Sequence, residues 1–137
     1  MSFPRFSALF CGKCRARLGT DRKTCHKDFP YLLGSATEYR NPGVRALVAA
    51  LKFKSCVAAA EPLAILLAQY AKTLPLPNNA VIVPVPLSAS RLRERGFNQA
   101  ELLARPLTRA LNLPILTNVL TRTKHTKPQS EIKDATE

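Results

Sequence analysis

Residues 81–104 read VIVPVPLSASRLRERGFNQAELLA, and the order of character within them sets the fold class. Residues 81–86 are apolar without interruption, and Val81, Ile82 and Val83 are β-branched, which suits a pleated surface. A short, wholly apolar run predicts a strand buried on both faces, as in a parallel sheet. Pro84 and Pro86 have no N–H to give, so the ladder must fail there and the strand must hand over to a loop. Ser88, Ser90, Arg91, Arg93 and Arg95 make that loop polar and basic, up to Gly96. A capped amphipathic pattern follows, with Asn98 as the cap and Ala100, Leu103, Ala104, Leu107 and Leu111 as its apolar stripe. Strand, polar loop and helix in this order place a ligand at the carboxyl end of a sheet strand. Arginines at that point suit an anion, phosphate above all, although the same residues also make an ordinary solvated loop, with Ser88 capping a turn.

On either side of this stretch the chain reads as helices and short extended pieces. Asn41-Pro42 opens a helix, Asn as cap and Pro in the first position, with Val44, Leu47, Val48 and Leu51 facing inward and Arg45 and Lys52 outward. A second helix is expected over about 58–72, carrying Leu63, Leu66, Leu67 and Tyr70, with Pro62 tolerable in its first turns. Cys56, alone among apolar neighbours, reads as a core residue. Residues 29–39 suggest a strand broken at Gly34, and residues 114–120 a second short strand. Pro106 should kink or shorten the helix after Asn98, an interior proline costing about 3 kcal/mol, and Asn112 suits its end. Residues 121–137 are polar and read as a mobile loop.

Near the N-terminus, Cys11-Gly12-Lys13-Cys14 is a C-x-x-C knuckle, Cys25 follows after ten intervening residues, and Gly12 eases the turn. Three thiolates suit tetrahedral zinc, which wants a fourth ligand when structural. A second knuckle would end at position 28, which is Asp28, so the fourth ligand is Asp28, His26, or missing, and in the last case the knuckle is degenerate and binds nothing. A redox reading is weaker, because no βαβ context surrounds the pair.

The chain has 137 residues, 46% of them hydrophobic, enough for one domain with a small appendage. Its net charge is +12, and residues 1–30 alone hold +5, which favours nucleic acid or phosphorylated ligands as partners. No apolar run reaches the length of a membrane span and the N-terminus makes a poor signal peptide, so the expectation is a cytoplasmic protein with reduced thiols.

The motif over 84–104, PVPLSASRLRERGFNQAELLA, resembles the signature of the ComF/GntX family, phosphoribosyltransferase-like proteins linked to competence for DNA uptake. Residues 39–53, with the triplet Leu51-Lys52-Phe53, look like that family's segment before the core. Arg122, Thr126 and Gln129 match its R-x3-T-x2-Q loop. Cys11, Cys14 and Cys25 match its zinc module, with Asp28 in place of the expected cysteine. The resemblance covers almost the whole chain; residues 93–104 carry it most specifically and the cysteines least.

The resemblance implies an α/β protein: a type I phosphoribosyltransferase-like parallel sheet with helices over 31–137, preceded by a zinc-ribbon-like module over 1–30. It places Leu87, Ser88, Ala89, Ser90 and Arg91 in the loop that holds pyrophosphate, with Arg93 and Arg95 nearby, and makes 121–137 the flexible loop that closes over the site. The family's phosphoribosyl pyrophosphate motif, a strand followed by two acids and a Thr-Gly loop, does not occur in these 137 residues. The expectation is therefore a truncated transferase-like chain without turnover of its own, Mg2+ with phosphoribosyl pyrophosphate binding only where a complete site exists. The alternatives are a non-catalytic protein that binds single-stranded DNA or a DNA-uptake helicase, and an inactive remnant.

Overall fold

The computed structural model describes residues 9–18, 25–26 and 31–123. Three short strands come first: β1 (Leu9–Cys11), β2 (Arg17–Leu18) and β3 (Leu32–Gly34). They form one sheet in the order β2-β1-β3, both pairings antiparallel. The register sets Phe10 opposite Arg17 and Leu33, and Leu9 opposite Leu18 and Gly34. Directly opposed residues share a face, so the sheet has one face bearing Leu9, Cys11, Leu18 and Gly34 and another bearing Phe10, Arg17 and Leu33. The first is packed, with Cys11 and Leu18 buried and the ring of Tyr70 lying against Gly34. The pairing of β1 with β3 runs across residue 30, the position at which the sequence reading divides the chain.

Helix α1 (Pro42–Phe53) begins as its sequence requires, the Asn41 side chain accepting from the amides of Gly43 (2.9 Å) and Val44 (3.2 Å). After it, Ser55 takes a left-handed conformation (φ 49°) and a single 3-10 turn (Val57–Ala59) leads into α2 (Ala60–Ala71). That reversal carries Ala59 and Ala60 into the core and leaves Cys56 on the surface, a correction to its core reading. Leu51, Ala59, Ala60 and Leu63 form the buried cluster, with Leu47, Val48, Phe97, Leu102 and Leu103 packed around it. Burial raises the phenol of Tyr70 above its ordinary value, opposed by a hydrogen bond with the Ser35 main chain.

The central run forms less sheet than its sequence suggests. Ile82 makes a single parallel bridge with Ile115: the Ile82 amide donates to Pro114 (2.8 Å) and the Leu116 amide to Ile82 (2.9 Å). Pro84 is buried, but Val81 and Val85 are 46% and 63% exposed. The expected strand buried on both faces is therefore corrected to an extended segment with one partner among the described residues. The prolines at 84 and 86 supply no donors, so pairing stops where the first of them begins. The strand expected over 114–120 likewise reduces to the bridge at Ile115. The molecule is mixed α/β, and the sheet among the described residues is antiparallel rather than parallel.

Two helices fill the connection between the bridge partners. Residues read as a polar loop form α3 (Ala89–Arg95), ended by Gly96 at φ 77°, where a left-handed residue is needed and glycine adopts it freely. Helix α4 (Gln99–Leu111) follows, capped by Asn98 and closed by Asn112 at φ 53°. Pro106 does not shorten it: the proline removes one bond inside the helix, while the packing of α4 along α2 holds both halves. No helix of the described residues is long and apolar enough to cross a membrane.

Candidate functional site

The turn after β1 is built by the backbone. The Cys11 amide donates to the Ala16 carbonyl (2.9 Å) and the Arg15 amide to the Cys11 carbonyl (2.9 Å), with Arg15 left-handed at φ 59°. The reversal thus falls on Arg15 rather than on Gly12, and it turns Cys11 and Cys14 toward a common point. Cys25 joins them, its Sγ 3.7 Å from that of Cys14. This is far beyond a disulfide bond. It matches the edge of a tetrahedron of thiolates around zinc, about 3.8 Å for Zn–S bonds of ~2.3 Å. The ligand atoms of Cys11, Cys14, Cys25 and His26 all lie within 4.8 Å of one another.

Three soft sulfurs and an imidazole are a donor set for a structural zinc ion. Main-chain amides already favour the ionised form of one ligand: the amide of Cys14 holds the Cys11 thiol below its ordinary value, against the effect of burial. The neighbouring Cys14 thiol pushes Cys25 the other way. Of the expected ligands, Cys11, Cys14 and Cys25 are brought together. Asp28 lies outside the described residues, and among the described residues His26 is the fourth donor that could join them. Its adjacency to Cys25 was the available signal.

The second candidate segment follows the extended run. Ser88 is the N-cap of α3, its Oγ accepting from the Arg91 amide (3.4 Å) and lying 3.1 Å from Ser90 Oγ. Leu87 and Ser88 precede the helix, while Ala89, Ser90, Arg91, Arg93 and Arg95 are in it. Arg91 and Arg95 are half-buried and Arg93 is exposed. Asn98 ties the segment together: its Nδ2 donates to the Val85 carbonyl (3.1 Å) and its Oδ1 accepts from the Ala100 amide (3.1 Å). Gln99, next to it, is 8% exposed and its amide nitrogen has no partner among the described residues. The cap is legible in the sequence; the tie from Asn98 to Val85 and the burial of Gln99 are not. Of the flexible-loop residues, Arg122 is half-buried in irregular chain, and Thr126 and Gln129 lie outside the described residues.

No protein-family model and no solved structure matches the chain. Two curated proteins are similar to it. One is the DNA utilization protein YhgH of Salmonella typhi, 36% identical over 132 residues, which covers 91% of this chain and 52% of that protein. The other is competence protein F of Haemophilus influenzae, 50% identical over 48 residues, or 35% of this chain and 21% of that protein. The chain thus spans about half the length of the first relative and less of the second.

Proposed function

We propose that the chain is a member of the ComF family, a reading its similarity to two curated proteins supports, and that it handles DNA during uptake or utilisation, gripping single strands through a basic N-terminal module ordered by zinc. The observation that carries this reading is the similarity to a DNA utilization protein along most of the chain. The charge supports it: the +12 total peaks in the same module that holds the cysteines. Phosphate contact leaves a signature in salt, because each neutralised phosphate releases counterions. With three to five contacts the slope of log K against log salt is about −2 to −3.5 for a single strand. Fluorescence anisotropy with a labelled oligothymidylate should therefore show affinity falling about 15- to 130-fold between 50 and 200 mM salt. Flat, weak binding at every salt concentration would remove DNA as a direct partner.

A phosphoribosyltransferase-like reading of residues 81–123 rests on a separate observation. Ile82 and Ile115 form a single parallel bridge with α3 and α4 between them, the same order of elements as a crossover unit of nucleotide-binding α/β folds. In this reading a phosphorylated ligand, with Mg2+ where the site is complete, is held by the turn at Leu87 and Ser88 with Arg91 and Arg95 beside it. Calorimetric titration with phosphoribosyl pyrophosphate and Mg2+ is the test. Saturable heat that Arg91→Gln reduces at least about tenfold in affinity supports it, a bidentate guanidinium contact being among the stronger ones; no heat from the intact chain removes it.

A further inference from the structure

We propose that the outward face of the β2-β1-β3 sheet, with the hollow beside it, is a single-stranded DNA platform in which Phe10 and Tyr39 stack on bases while Arg15 and Arg17 hold phosphates. This rests on the DNA reading above and gives it a location. The sheet register puts Phe10 between Arg17 and Leu33 on the face away from the buried Cys11 and Leu18. Arg17 is exposed, Leu33 is 48% exposed and Phe10 is half-buried. That face continues into a hollow of about 410 Å³ that Phe10 shares with Ser35, Thr37, Glu38, Tyr39 and Arg40, a size within the small-ligand range of ~300–1,000 Å³.

The composition of this face selects its occupant. Tyr39 is 62% exposed, which wastes a large ring unless something flat covers it. Inside the hollow Glu38 offsets Arg40, so it suits an uncharged base better than a phosphate. Among the described residues, cations with no acidic partner lie along the sheet and knuckle instead, at the exposed Arg15 and Arg17. Aromatic rings for bases flanked by cations for the backbone is the arrangement by which proteins grip single strands with little sequence preference. A duplex, with its bases already stacked, cannot use it. Thr37, whose Oγ1 is buried without a hydrogen-bond partner among the described residues, lines the same hollow.

The test uses the whole chain loaded with zinc and an oligothymidylate, with anisotropy and intrinsic tyrosine fluorescence as readouts; the chain contains no tryptophan to mask the three tyrosines. The expected result is at least tenfold weaker binding for Tyr39→Leu with an unchanged salt slope, near-normal binding for Tyr39→Phe, and for Arg17→Gln a slope shallower by about 0.7. Oligonucleotide should quench tyrosine emission in the intact chain and in Arg17→Gln, but much less in Tyr39→Leu. Circular dichroism and zinc content establish that each variant is folded. If the intact chain binds and Tyr39→Leu and Arg17→Gln bind equally well, this face has another occupant, such as a protein partner, and the platform is wrong while the DNA reading stands. If the intact chain binds no oligonucleotide, both fall.

Discussion

Removing metal is expected to dissolve the β2-β1-β3 sheet while α1, α2 and α4 remain folded. The strands are three, two and three residues long, and sheets of this size do not stand alone in water. Their buried apolar contribution comes chiefly from Cys11 and Leu18, too little to offset the entropy of ordering the knuckle. A zinc ion held by those four side chains would supply what the core does not, such binding being worth about 10–16 kcal/mol in small zinc-dependent units. The purified protein should hold one zinc per chain, and a strong chelator should abolish DNA binding together with the sheet's amide protection. His26→Ala should weaken zinc binding by more than about 100-fold, since even the residues behind a ligand are worth about 10–100-fold. Asp28→Ala should leave it unchanged. If Asp28→Ala strips the metal and His26→Ala keeps it, the Cys3His assignment is wrong.

Gly34→Ala is the second large effect. A methyl group there would lie 2.6 Å from Tyr70 Oη and 2.9 Å from Cε1, well inside contact distance. The ring has little room to retreat, because Tyr70 is 8% exposed and is hydrogen-bonded to the Ser35 main chain. This is the seam where α2 meets the sheet, and overpacking of that kind costs about 1–3 kcal/mol. Denaturant unfolding should show that loss for Gly34→Ala. Tyr70→Leu should destabilise on its own by emptying the site. Together the two substitutions should cost less than their sum, because the methyl then occupies space the ring has left. Strict additivity would mean that ring and strand do not press on each other.

The DNA platform depends on the same seam. Tyr70 against Gly34 buries one face of the sheet, and burying that face leaves Phe10, Arg17 and Leu33 on the other. A substitution at Gly34 is thus expected to act on the platform through the position of the sheet.

What the residues determined alone was local. Asn41, Ser88, Asn98 and Asn112 mark helix ends because each cap is made with amides or conformations a few positions away. The stripes of α1, α2 and α4 were legible for the same reason, and so was the cysteine knuckle, whose spacing holds its geometry. The arginine segment was misread as a loop: its helix is only seven residues long, has no buried side chain and so shows no apolar period.

The tertiary structure decided whatever depends on which distant segment arrives. Ile82 needed Ile115 to pair, and with one neighbour among the described residues its run stays half exposed. Cys56 turns outward because Ser55 reverses the chain. His26 reaches the three thiols because the approach of Cys25 to Cys14 brings it along, and Phe10 stays half-exposed because β3 and Tyr70 cover the opposite face. Local preference extends over a turn or a cap, whereas pairing and burial are settled only when remote parts of the chain compete for the same neighbours.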